Sequence, residues 1–191
     1  MSLLSQMPGR RIVIAAWVML FIVLGASMTP VVVGSFLGDD YAGVVEVEIA
    51  REPEAVWARV NDHATYPVNS SAVLRVLDLP EEEGLPVWEE EMSKNSATVR
   101  TLELDAPRRV VRDVISLDGL MQARWVLELE PTAEGTRARL AQDVHIDATG
   151  MIGAHLRFVM EYMDNAVVGP TLYLERLREE LEAEVALGVG P

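Results

Sequence analysis

The sequence contains no cysteine, which removes disulfides, thiolate metal sites and a cysteine nucleophile together. Export remains open, because a chain of 191 residues can bury a core without covalent staples. Basic residues are scarce: 16 Lys and Arg stand against 30 Asp and Glu, a formal net charge of −14. The imbalance is uneven. Residues 1–38 hold Arg10 and Arg11 and no acid, so residues 39–191 carry 14 basic against 30 acidic groups, a net −16. A body this acidic repels phosphate backbones, which argues against nucleic acid as a partner, and repels anionic lipid unless it is tethered there. The three histidines, His63, His145 and His155, show no H-x-x-x-H spacing. There is no G-x-S-x-G elbow, no glycine-rich phosphate loop, no internal repeat and no low-complexity segment. Neither metal nor cofactor is expected, and no catalytic residue is assigned.

One long uncharged run is present. Ile12 to Gly38 is free of charge and exceeds the roughly 20 apolar residues that span a bilayer as a helix. Arg10 and Arg11 precede it, and Asp39 and Asp40 follow. The positive-inside rule then leaves residues 1–11 in the cytoplasm and places the domain on the periplasmic or extracellular side of a single-pass protein. Pro30 falls near the end of the run, where a break in a helix is tolerated. The rival reading is a cleaved signal peptide that releases the domain: Arg10–Arg11, an apolar core over Ile12–Leu24, and a small-residue site at Gly25-Ala26-Ser27. Continuation of the apolar run through Val31–Val33 and Phe36–Leu37 favours the anchor. The chain thus divides into residues 1–11, an anchor or signal over 12–38, and one domain over 39–191.

Beyond Tyr41 the pattern becomes one of short alternating runs. Val45–Ile49 alternates apolar and acidic residues with period two, a half-buried strand. A short helix follows, with Pro53 in its first turn and Val56, Trp57 and Val60 on one face. Six further strands are expected over Val73–Leu79, Pro86–Met92, Ala97–Leu104, Arg109–Leu117, Leu120–Glu130 and Thr136–Ile146. The short connections between them suit antiparallel hairpins in one meander. In the clearest strand Met121, Ala123, Trp125, Leu127 and Leu129 share one face, so that face is covered and the other solvated. The last forty residues return to helical period. Ile152, Leu156, Val159, Met163, Ala166 and Val167 form a stripe with Phe158 and Tyr162 beside it, and Leu174, Leu177, Leu181 and Val185 continue it past Gly169-Pro170. A kink or restart is expected at Pro170. This is an α+β chain: one antiparallel sheet whose apolar face must be covered by the long C-terminal helix, with a ligand-sized space between them.

Alternation also proposes what lines that space. Glu90 lies between Trp88 and Met92, Asp113 between Val111 and Ile115, and Gln142 between Leu140 and Val144, while Arg100 shares a face with Leu102 and Leu104. With Met121 and Trp125 from the clearest strand, and His155, Phe158, Tyr162 and Met163 from the helix, these residues are the expected ligand-binding set. Inward charges are costly unless paired, so Glu90, Asp113 and Arg100 are expected to pair with one another, to hold the polar end of a ligand, or to reach water at a bulge. His145, on the polar side of its strand, reads as a surface histidine.

Particular stretches resemble a known superfamily. Val45–Ile49 followed by Arg51-Glu52-Pro53-Glu54-Ala55-Val56-Trp57 is similar to the opening strand and "Ala-Pro, x-x-Val-Trp/Phe" segment of START-like, or SRPBCC, domains. Asn61-Asp62-His63-Ala64-Thr65-Tyr66-Pro67 is similar to their "Asp … Tyr/Trp-Pro" turn, and Trp125–Glu130 with Pro131 and Gly135-Thr136-Arg137 to their last hairpin. The likeness covers residues 43–185. In place of the usual Ala-Pro stands Glu52-Pro53, and Val68-Asn69-Ser70 stands where a second tryptophan is usual. The resemblance implies a helix-grip fold of about seven strands on a long C-terminal helix. It also implies a cavity for a lipid, sterol or polyketide-like molecule, as in polyketide cyclase/dehydrase-like relatives. Three functions remain: a membrane-tethered domain that binds an apolar small molecule, a cyclase/dehydrase-like enzyme using Glu90 or Asp113, and an interaction module whose core is filled by its own aromatic side chains. The sequence names no protein partner.

Overall fold

In a computed structural model of the chain, Trp17, Met19 and residues 28–63, 73–116 and 119–186 are described. About half of the expected anchor over 12–38 falls outside these residues, and the Tyr66-Pro67 turn and Val68–Ser70 fall wholly outside them. Among the described residues no helix is long and apolar enough to cross a membrane.

The element order is β1 (Asp40–Ile49), α1 (Pro53–Asn61), β2 (Val73–Glu82), β3 (Leu85–Met92), β4 (Ser96–Asp105), β5 (Arg109–Ser116), β6 (Met121–Thr132), β7 (Gly135–Ile146), α2 (Gly150–Tyr162) and α3 (Asn165–Ala186). The seven strands form one antiparallel curved sheet in the order β1-β7-β6-β5-β4-β3-β2. The meander from β2 to β7 is the expected one, and β1 returns to pair with β7, so the two edges are β1 and β2. β7 is the most regular strand: Thr136, Ala138, Leu140, Gln142, Val144 and Ile146 are all buried, and the residues between them are not. This period fixes the register, because a slip of one residue would turn the whole buried set into water.

α3 covers the inner face. Leu174, Leu177 and Leu181 pack with Val47 and Ile49 of β1, Val110 of β5, Leu127 and Leu129 of β6, Leu140 of β7, and Val56 and Val60 of α1. Trp57 packs half-buried against the same cluster. A second cluster joins Ala123, Val144 and Ile146 to Met160 of α2 and Ala166 of α3. β1 comes so close to α3 that a Cβ on Gly43 would strike the Ala166 carbonyl. That carbonyl is the one Pro170 cannot serve, since proline has no N–H to donate four residues back.

The helical break differs from the expected one. It falls at Met163–Asp164, where Asp164 takes a left-handed φ of 48° and its carbonyl accepts the amides of Val167 and Val168 to restart the helix. Pro170 is buried inside α3, near its start. Consequently the C-terminal region is two helices. α3 grips the sheet, and α2 with its C-cap Met163 leaves Ile152, Tyr162 and Met163 exposed, although the helical period places Ile152 and Met163 in the covered stripe and Tyr162 beside it.

The outer face is a lattice of alternating charge. Arg139 meets Glu46 at 3.4 Å and Glu128 at 3.0 Å, Arg109 meets Glu103 at 3.3 Å, and Arg137 meets Glu48 at 2.9 Å. Exposed pairs contribute about 0–1 kcal/mol each. Their main effect is to keep one side of the sheet wet.

Candidate functional site

Between β3, β4, β5, β6 and α3 lies a cavity of about 100 Å³ lined by Val60, His63, Trp88, Glu90, Val99, Arg112, Val114, Trp125 and Tyr173. A smaller void adjoins it, sharing Arg112, Trp125 and Tyr173. The strand register assembles its floor: Trp88 pairs with Val99, Val99 with Val114, Val114 with Ala123, and Arg112 with Trp125. Tyr173 descends from α3 to meet Trp125 edge-on, ring centroids 5.5 Å apart. From the end of α1, His63 stacks on Trp88 at 4.6 Å and is hydrogen-bonded to Asp78 at 2.8 Å.

Three polar groups converge on this aromatic space. The Trp88 indole N–H donates to Glu90 Oε1 at 3.0 Å. Arg112 lies 5.0 Å from the Trp88 ring and donates to Asn61 Oδ1 at 2.8 Å and to the Val60 carbonyl at 3.3 Å, so it clasps the end of α1. Burial pushes the Glu90 carboxyl above its ordinary pKa, against the opposing pull of Trp88, Arg112 and His63. The Tyr173 phenol is likewise raised, chiefly by burial. A carboxyl whose pKa is raised in an aromatic pocket has two chemical uses. It can donate a hydrogen bond to a ligand oxygen, or it can exchange a proton with one.

The expected ligand-binding set divides between the two faces. Trp88, Glu90, Met92, Met121, Trp125 and Gln142 are on the inner face, and Trp88, Glu90 and Trp125 reach the cavity. Met121 packs in the second cluster, and Gln142 is buried opposite Trp125. Arg100, Leu102, Asp113 and Ile115 are on the outer face, a correction of the expected facing. Asp113 is opposite Arg100 and Arg124 and pairs with Arg124 at 2.8 Å, while Arg100 lies 3.5 Å from Glu82. Leu102 sits at a register shift between Thr101 and Glu103 and is exposed. The cause is β5 itself: Val110-Val111 and Val114-Ile115 are apolar in both phases, so alternation gives no phase there, and the inward phase carries Arg112. From α2, His155, Tyr162 and Met163 are exposed and Phe158 stacks on Tyr162 at 4.7 Å, away from the cavity.

His63, Arg112 and Tyr173 are the cavity residues that sequence reading missed. Arg112 was recoverable in principle: the short turn after β5 pairs Ser116 with Met121, and counting back from the unambiguous Trp125 reaches Arg112. Tyr173 precedes Leu174 on the gripping helix. His63 depends on where α1 ends over the sheet, which no local pattern encodes.

A second concavity, about 460 Å³, is on the outer face between Asp40, Asp113, Gln122, Arg124, Asp143 and His145. It is open and its charges satisfy one another: Asp113 pairs with Arg124, and His145 Nδ1 lies 2.6 Å from Asp40. That contact, above all, raises the His145 pKa. Tyr41, Ala42, Ala123 and Val144 also line the concavity, but it is open to solvent and its polar groups are already paired, so the more enclosed inner cavity is the stronger candidate site. Among the described residues no group of three histidine or acidic side chains is placed to hold a metal ion.

No curated protein matches the chain. Among solved structures the chain is similar to the Zhui aromatase/cyclase from Streptomyces sp. R1128, with a TM-score of 0.63, 21% identity, and coverage of 76% of this chain and 96% of that one. It is similar to the di-domain aromatase/cyclase StfQ of the steffimycin biosynthetic pathway, with a TM-score of 0.59 and 11% identity over 78% of this chain. There it spans about half of the other protein's length, 52%. Protein MLL2253 from Mesorhizobium loti has a TM-score of 0.55 and 16% identity, over 75% of this chain and 98% of that one. These likenesses concern the fold. The family described as polyketide cyclase/dehydrase and lipid transport matches residues 43–182, which is all of the sheet except the first three residues of β1, with α1, α2 and most of α3, and the chain belongs to that family.

Proposed function

We infer that this domain binds a compact, mainly apolar molecule with one polar group, held between the inner face of the sheet and α3. The observation that carries the reading is the convergence of Glu90, Arg112 and His63 on a space walled by Trp88, Trp125 and Tyr173. Size narrows the ligand. The cavity measures about 100 Å³, below the roughly 300–1,000 Å³ of sites for drug-sized ligands. A single small ring system suits it better than a sterol or a two-chain lipid. The family description, which joins cyclase/dehydrase chemistry to lipid transport, supports a small-molecule role of this kind. The uncharged run over residues 12–38 supports holding the domain at a membrane, and Arg10–Arg11 supports its export.

A second reading is favoured by the raised Glu90 pKa: proton transfer to or from a bound carbonyl or hydroxyl, with Glu90 as acid or base. Asp113, paired on the outer face, has no part in it. Native mass spectrometry of the full chain released from detergent tests the binding reading. A non-covalent adduct that disappears on denaturation is expected, and the same adduct should persist unaltered in Glu90→Gln if the protein only binds. A substrate that accumulates in Glu90→Gln while the wild type carries a product of different mass favours the enzyme. A bare protein mass throughout argues for a filled core.

A further inference from the structure

We propose that the apolar face of α2, together with the chain that enters at residue 28, lies on the surface of a lipid bilayer; this rests on reading residues 12–38 as a membrane tether. Freed from the inner face by the break at Asp164, α2 buries Gly153, Ala154 and Met160 and leaves Met151, Ile152, Tyr162 and Met163 exposed at 62%, 61%, 62% and 64%. Residues 28–34 are helical, and the apolar side chains spaced by four along this segment, Met28, Val32 and Phe36, are exposed as well.

The two apolar surfaces are bolted together. Gly34 sits so close to α2 that a Cβ there would run into the Ala154 carbonyl. Arg157 donates to Asp39 at 2.5 Å and to the Ala148 carbonyl at 3.0 Å. The Tyr41 hydroxyl donates to the Gly38 carbonyl at 2.9 Å or the Arg157 carbonyl at 3.2 Å. The last turn of the uncharged run therefore has a fixed place against α2.

Charge selects the occupant. Residues 39–191 carry a net −16, yet α2 holds one arginine, one glutamate and one exposed histidine, Arg157, Glu161 and His155, and Arg157 is committed to the latch. A nearly neutral apolar helix face on an acidic body, at the point where an uncharged run leaves it, matches the acyl–headgroup boundary of a bilayer. There an amphipathic helix buries its apolar face about 5–10 Å deep. α3, the lid of the cavity, begins three residues after α2 ends. On this arrangement the gripping helix starts beside the membrane, the compartment from which an apolar ligand partitions.

The sequence has no cysteine, so single-cysteine variants report one site each. The full chain is reconstituted into phosphatidylcholine vesicles with an environment-sensitive fluorophore on Met151→Cys, Met163→Cys, Leu20→Cys or Asp113→Cys, and doxyl-labelled phosphatidylcholine is the quencher. Labels at 151 and 163 should be quenched about twofold or more beyond the label at 113, as shallow burial requires. Quenching at 20 without excess quenching at 151 and 163 would leave the tether standing and overturn the docking. Absence of quenching at all four positions would overturn both. Shielding of 151 and 163 from aqueous iodide, without quenching by doxyl lipid, would overturn the proposal in favour of a second copy or another protein on this face.

Discussion

Replacing Leu174 by alanine should cost the fold about 2–5 kcal/mol, the range for buried leucine truncations that leave a cavity. Leu174 is fully buried, and its cluster includes residues of α1, β1, β5, β6 and β7 as well as its own helix. Few neighbours can collapse into the gap, because a sheet held by paired strands and a helix pinned at Gly43 are both stiff. The neighbouring Leu172 is the control: it is 64% exposed on the same helix, and its truncation should change stability by no more than about 0.5 kcal/mol. Urea unfolding of both variants with unchanged slope measures the difference. A loss below about 1 kcal/mol for Leu174→Ala would mean that α3 does not grip the sheet as described.

Arg112→Met should cost about 2–3 kcal/mol, since it removes charged hydrogen bonds that end α1 and leaves their acceptors partly enclosed. The Val60 carbonyl and Asn61 Oδ1 lose a donor, and the Trp88 face loses its cation. The substitution also acts on Glu90. Burial already raises that carboxyl, and Arg112 is one of the groups that oppose the rise. In the native protein Glu90 therefore keeps its proton at pH values where the unfolded chain has released it. Its contribution to stability is present below the ordinary carboxylate pKa and is lost as pH rises through the folded value. Without Arg112 that window extends to higher pH, and Glu90→Gln removes it. Trp88 reports the titration directly, because its indole donates to the carboxyl that changes charge. An upward-shifted transition in tryptophan emission for Arg112→Met, absent in Glu90→Gln, is the expected pair of results. An unshifted transition in Arg112→Met would show that Arg112 does not sense the cavity.

The strands were legible because most carry an unambiguous period. β6 and β7 each bury one alternate set, and the turn residues between runs mark the hairpins, so the meander and its covered face follow from local pattern. β5 carries two phases at once. Its apolar pairs made Asp113 look inward, whereas the strand turns Arg112 inward and spends Asp113 on Arg124. A half-buried arginine on the inner face runs against any hydrophobic count, and it is tolerated here by contacts to α1 that lie 51 and 52 residues away in sequence. The helical period suffered a similar ambiguity. A stripe that runs from Ile152 to Val167 and resumes after Pro170 reads as one covering helix interrupted at the proline, but a left-handed Asp164 turns α2 out of line, and proline at 170 falls where a helix already under way accommodates it. Of the cavity, Trp88, Glu90 and Trp125 were within reach of alternation. His63 and Tyr173 arrive from α1 and α3, and their meeting is a tertiary fact.

The central claim is that an open space of the size of one small ring lies between the sheet and α3, and titration with phenol tests it most directly. The probe has one small ring system and one hydroxyl, and Trp88 and Trp125 line the space as reporters. Wild type should show saturable quenching. Val114→Phe, which pushes a larger side chain into the cavity, should weaken that binding about tenfold or more while changing stability by less than about 1 kcal/mol, since room for the ring already exists. No saturable binding to the wild type, with Val114→Phe destabilised by the roughly 1–3 kcal/mol of an overpacked core, would contradict the account and show the space to be filled.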